Sequence, residues 1–210
     1  GAGKATYYEA RMRHDVSLST SATVTFPAFW SLALEHILNN EQWAGQVTGY
    51  GHFAELDFVE IIRQSGKSAA YNSYVVCTIH DWSGVYSSGW PYDISNGKNA
   101  EGDNNRVHIP GAVDDQWHTY GCLYVPTSGT TPGYVSWFID TAKVNTIYFV
   151  GPPTAPPLDN QDTTKSFSPT TAAAATQTYS IIDSQHMAIC LQGDAAWPVY
   201  YDYVAVWSAP

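Results

Sequence analysis

The sequence predicts an all-β chain folded as a two-sheet antiparallel β-sandwich with long loops, and three observations carry that prediction. Short runs rich in Val, Ile, Tyr, Phe and Trp recur along the 210 residues, and clusters of Gly, Pro, Asn and Asp divide them. A helical pattern competes in one place only, at 32–43 (LALEHILNNEQW), where it is short. Hydrophobic residues make up 44% of a chain of one domain's length, so residues 1–210 are read as a single domain built of two layers around one core.

The elements follow in order. Strands are expected at 6–13 (TYYEARMR), 24–34 (VTFPAFWSLAL), 53–62 (FAELDFVEII) and 73–80, where β-branched and aromatic residues dominate. Residues 81–116 are expected to be loop, being rich in Gly, Asn and Asp around Trp82, Trp90 and Tyr92. Further strands are expected at 117–125, 134–140 and 144–150, with a hairpin over 133–148 turning at Asp140-Thr141. Residues 151–180 carry GPPTAPP and then a Thr/Ala-rich stretch, and read as a second long loop. Two last strands are expected at 186–192 and 199–207. No internal repeat is visible.

Charge narrows the partners. Nine Lys and Arg stand against 19 Asp and Glu, for a net charge of −10. With no basic run to neutralise phosphates, a nucleic-acid partner is not expected. Arg11, Arg13, Arg63 and Arg106 are the only arginines, which also disfavours densely sulfated chains. No apolar run is long enough for a membrane span. The start, Gly1-Ala2-Gly3-Lys4, does not look like a signal peptide. Cys77, Cys122 and Cys190 each sit in an apolar, strand-like run without metal-ligand spacing. They read as small core residues, with one disulfide plus a spare thiol as the alternative.

One motif carries chemistry, Glu55-Leu56-Asp57-Phe58-Val59-Glu60. Side chains alternate along a strand, so Glu55 and Asp57 share one face and Leu56 and Phe58 the other. Strict alternation would send Glu60 into the core, where an unpaired carboxylate costs several kcal/mol. A β-bulge near Phe58-Val59 adds one residue and returns Glu60 to the face of the other two acids. Aligned like charges do not serve folding. Two carboxyl groups on one face are what a retaining glycosidase uses, one as nucleophile and one as acid/base. A polar strand face or a cation site is the alternative.

The surroundings of the motif point to a family. Tyr8-Glu9-Ala10-Arg11, Pro27-Ala28-Phe29-Trp30, the acidic hexamer, Trp197-Pro198 and Tyr201-Asp202-Tyr203-Val204-Ala205-Val206-Trp207 occur in that order. Trp117-His118-Thr119-Tyr120 and Trp137-Phe138-Ile139-Asp140 lie between them. Together they resemble the "fEaR", "PAFW", bulged catalytic, "WP…vDYVrVy", "fHtY" and "wyvDG" segments of glycoside hydrolase family 16. These are the laminarinase-like enzymes with a concanavalin-like jelly roll, and the matches span about residues 7 to 207. Family members carry further strands before the "fEaR" segment, whereas this chain begins almost at it. Asp140-Thr141 replaces Asp-Gly, and Gln192-Gly193-Asp194 stands where many members have a double glycine.

The resemblance implies roles. Glu55 corresponds to the nucleophile, Asp57 to the assisting acid and Glu60 to the acid/base. Glu9 and Arg11 correspond to strand residues that reach the sugar, with a cross-strand ion pair as the alternative. Trp30 and Trp197 correspond to cleft aromatics that stack on pyranose rings, or else to core residues. His80 corresponds to a histidine beside the reacting sugar, or to a structural one, and His118 reads as structural. Asp202 matches a position able to bind a structural calcium, while no cofactor is implied for catalysis. The implied function is an extracellular, monomeric, endo-acting retaining hydrolase of β-linked polysaccharide, most nearly a β-1,3-glucan. A galactan-cleaving member (agar or carrageenan), a transglycosylase and a non-catalytic carbohydrate-binding sandwich are the alternatives.

Overall fold

A computed structural model of the chain describes residues 3–14, 27–38, 50–61, 74–85, 92–95, 106–108, 115–149, 185–193 and 198–210. These residues form eleven strands and one short helix: β1 (Thr6–His14), β2 (Ala28–Ala33), α1 (Leu34–Ile37), β3 (Tyr50–Glu60), β4 (Tyr74–Val85), β5 (Tyr92–Ser95), β6 (Arg106–His108), β7 (His118–Val125), β8 (Gly133–Ile139), β9 (Ala142–Phe149), β10 (Met187–Gln192) and β11 (Val199–Ser208). The fold is an all-β sandwich of two antiparallel sheets, consistent with a concanavalin-like jelly roll. One sheet runs β11-β1-β7-β8-β9; the other runs β10-β2-β3-β4-β5, with β6 also paired to β4.

Alternation decides which side chains face the core. In β1, Tyr8, Ala10 and Met12 are buried while Tyr7, Glu9 and Arg11 between them are only partly so. From the facing sheet, Phe29, Leu56, Phe58, Val59, Val75, Cys77 and Ile79 point inward and join them in one cluster. Phe58 lies at its centre, stacked on Tyr8 at 4.6 Å and edge-on to Phe29 at 4.6 Å. Aromatic pairs at such distances contribute about 1 kcal/mol beyond simple burial. The three cysteines are free thiols. Cys77 and Cys122 belong to the core, and burial pushes both thiols well up from their usual range, so they stay protonated.

The expected hairpin is present and its turn is held from outside. Ile139 pairs with Ala142 across a two-residue turn in which Asp140 and Thr141 have φ of 49° and 73°. Two consecutive positive φ values match the right-handed twist of the strands they join. Thr141 adopts this conformation although a β-branched residue disfavours it. The Asp140 carboxylate offsets the strain, accepting the Thr119 N–H at 2.9 Å and meeting His118 Nδ1 at 2.7 Å.

One expectation needs correction. The stretch 81–116 is not all loop, because β4 continues to Val85 and β5 and β6 lie within it. Their pairing partner is β4, so tertiary pairing overrides the Gly/Asn/Asp-rich composition. The short helical pattern at 32–43 is present as α1, four residues long; residues 39–43, like 151–180, lie outside the described residues.

Candidate active site

The acidic motif occupies β3 in the middle of the second sheet, and the register shows where each acid points. Against β4, Asp57 pairs with Thr78 and Glu60 with Val76, so Phe58 and Val59 together face Cys77 alone. Against β2, Trp30 pairs with Asp57 while Phe29 already pairs with Val59. Both neighbours therefore see one extra residue in β3, which is the bulge that the five-residue spacing requires. Phe58 and Val59 are both buried in the core, at 1% and 0% exposure. Glu60 returns to the outer face with Glu55 and Asp57, alongside Val76, Thr78 and His80 of β4.

The bulge disrupts the ladder locally, and the core catches its carbonyls. Trp137, fully buried in β8 of the opposite sheet, crosses the sandwich and donates its indole N–H to the Asp57 carbonyl at 2.9 Å. The Cys77 thiol donates to the Phe58 carbonyl at 3.4 Å. Without such partners these buried acceptors would each cost about 1–3 kcal/mol.

On the outer face the three acids stand in different environments. Asp57 is 3% exposed, and its Oδ2 meets His80 Nε2 at 2.9 Å. Glu55 Oε2 accepts the indole N–H of Trp82 at 2.8 Å. Burial, reinforced by the negative charge of Asp57 and more weakly of Glu55, pushes the Glu60 carboxyl up to about 8, with His80 opposing the shift. Glu60 thus stays protonated at neutral pH beside an assembly able to hold an ionised Glu55. Divergent environments of this kind are how two carboxyl groups take acid and nucleophile roles.

The raised Glu60 carboxyl has a consequence for folding. An unfolded glutamate loses its proton near 4.5, the folded one near 8, so the folded chain holds the extra proton between those values. Stability from this group is complete below about 4.5 and declines as pH rises through about 8. Glu60→Gln, which cannot ionise, should lose less thermal stability than the wild type between pH 5 and 9. Parallel melting temperatures for the two proteins over that range would contradict the assignment.

Other site expectations divide. His80 lies in register with Glu55 and faces the acids, and half-buried Trp30 lies in register with Asp57. The Trp30 Nε1 is buried and finds no acceptor among the described residues. Trp197 lies outside the described residues. Glu9 and Arg11 are not at this site. They alternate with Tyr8, Ala10 and Met12, which fill the core between the sheets, and so stand on the outer face of the other sheet. There Glu9 accepts the hydroxyls of Tyr7 at 3.0 Å and Tyr203 at 2.6 Å, while Arg11 pairs with Asp202 at 2.6 Å. Neither side chain shares the face of the acidic cluster. Asp202 is exposed and takes part in that ion pair. A tighter set of potential ligand atoms is that of Glu55, Asp57 and His80, within 4.8 Å of one another. They could hold a divalent ion, in competition with the hydrogen bonds just described.

Trp82 was not singled out by sequence as a site residue. It falls in a stretch that composition marks as loop, yet the alternation Thr78, His80, Trp82 already places it on the face of the acids.

No family profile matches the chain, and no curated protein matches it in sequence. Solved structures do match. The endo-1,3-β-glucanase from Streptomyces sioyaensis aligns over 98% of this chain and 64% of its own, with a TM-score of 0.50 and 18% identity. The two share a fold. The κ-carrageenase from Pseudoalteromonas carrageenovora, solved with an oligotetrasaccharide of κ-carrageenan, aligns over 70% of this chain and 46% of its own, with a TM-score of 0.43 and 20% identity. The chain thus spans less than two thirds of the length of either.

Proposed function

We propose that the chain is an endo-acting retaining glycoside hydrolase that cleaves β-linked polysaccharide, with β-1,3-glucan as its substrate class. The observation that carries this reading is the bulged triad. It puts Glu60, its carboxyl pushed up to about 8, on the same face as Glu55, which holds a charge-assisted hydrogen bond from Trp82. Glu60 donates its proton to the glycosidic oxygen as Glu55 attacks the anomeric carbon and the C–O bond to the leaving group breaks. Glu60 then takes a proton from water, which attacks the anomeric carbon and releases Glu55. Asp57, bonded to His80, keeps negative charge beside Glu60 and so helps hold its proton. A sugar hydroxyl in place of the water gives transglycosylation by the same steps. No cofactor takes part in these steps. A polymeric substrate of this kind does not cross membranes, so the site of action is extracellular.

The test is release of reducing ends from laminarin, lichenan, agarose and κ-carrageenan, with product anomers followed by NMR in the first minutes. The expected result is cleavage of laminarin with retained configuration. Binding without cleavage of any of the four would make the chain a carbohydrate-binding module, and an inverted product would remove Glu55 as nucleophile.

A further inference from the structure

Trp82 is held unusually firmly for an aromatic residue near a sheet's outer face. It lies opposite Phe53 in the β3–β4 register, two residues beyond His80, which lies opposite Glu55. Its ring stacks on His80 at 5.5 Å with 17° between planes and on Phe53 at 6.2 Å with 18°. Phe53 is 4% exposed and stacks in turn on His36 of α1, at 3.8 Å and 9°. Four near-parallel rings therefore run from α1 across β3 and β4. The indole plane is fixed by this row, and with it the direction in which Nε1–H points: at Glu55 Oε2, 2.8 Å away.

We propose that Trp82 is a positioning residue for the nucleophile, an inference that rests on the hydrolase reading above. A carboxylate has two equivalent oxygens and rotates about its last bond. A donor fixed on Oε2 stops that rotation and leaves Oε1 as the oxygen that attacks the anomeric carbon. When the glycosyl ester forms, Oε1 is bonded to carbon and Oε2 becomes the ester carbonyl, still within reach of the indole. When water breaks the ester, the negative charge returns to the carboxylate where the N–H already waits, which favours departure of Glu55. Trp82 acts here through Glu55, and this role requires no contact of its own with the sugar.

The experiment compares wild type with Trp82→Phe, which keeps a ring in the stack and removes the donor. On laminarin, kcat should fall by about 10–100-fold, with KM changed less than the rate. The acid limb of the rate profile should move to higher pH, because the ionised carboxylate loses a hydrogen bond. Asp57, Glu60, His80 and Cys190 also face Glu55 and are unchanged in the variant, so that movement reports the lost donor. An unchanged acid limb with an unchanged kcat would overturn the proposal, as would a loss confined to KM. A second measurement needs no turnover and keeps Trp82 in place. In the wild type, the Trp82 indole ¹⁵N–¹H resonance should shift as the Glu55 carboxyl titrates, and that response should vanish in Glu55→Gln. An indole signal indifferent to Glu55 would overturn the proposal even in an active enzyme. An inert wild type whose indole follows Glu55 would instead reject the hydrolase reading and leave the hold of Trp82 on Glu55 established.

Discussion

Under the proposed retaining mechanism, alanine at Glu55 should abolish turnover, by about 10⁴-fold or more, while glycan binding should survive, because the side chain removed is the one proposed to form the covalent bond. Alanine at Glu60 should behave differently under the same mechanism. Cleavage of a polysaccharide, whose leaving group needs a proton, should slow by about 10²–10⁴-fold. An activated aryl glycoside needs little protonation and still forms the intermediate. Breakdown then waits on water with no base to activate it, and added azide, which needs none, restores the rate and yields a glycosyl azide of retained configuration. Equal indifference of both variants to azide and leaving group would contradict the roles given to Glu55 and Glu60. Initial rates at several azide concentrations, with NMR of the product, decide the matter.

The second large effect lies in the core. Trp137→Ala removes a fully buried indole and should cost about 3–5 kcal/mol. Trp137→Phe keeps most of the apolar volume but strands the Asp57 carbonyl, adding about 1–3 kcal/mol of desolvation to a smaller packing loss. Both should lower the urea midpoint with little change in slope. The Phe variant should also disturb Glu60, since the carbonyl it releases opens the bulge: the alkaline limb of the rate profile should shift relative to wild type. If stability falls while that limb stays in place, the pairing of β3 with its two neighbours holds the bulge without help from Trp137.

Much of this was legible in the sequence, and the limits have physical causes. The bulge could be derived from Glu55, Asp57 and Glu60 because a buried carboxylate is costly and a strand's period is two. The hairpin could be read from Asp140-Thr141 because turns are local. What the period cannot say is to which sheet a strand belongs. Glu9 and Arg11 share a face of β1 in any arrangement. That this face looks away from the acids depends on pairing with β7 and β11, more than a hundred residues away. The same reason hid Trp82. Its strand continues through Asp81, Ser83 and Gly84 because β3 pairs with it along that length, and local composition carries no trace of a partner twenty or more residues distant.

The inward pair Phe58 and Val59 has a further consequence, for how the site withstands mutation. A flat strand would send one of these two outward; here both are committed to the interior, where Phe58 meets Tyr8 and Phe29. The residue count that brings Glu60 round to Glu55 is therefore the same count that fills the core. A single-residue deletion between the two glutamates would lose an interior side chain or turn an acid inward, and either outcome weakens the fold itself. Substitutions that keep these two positions apolar leave the count intact. Any requirement for a stable sandwich thus also holds the spacing of the acids, independently of what those acids do.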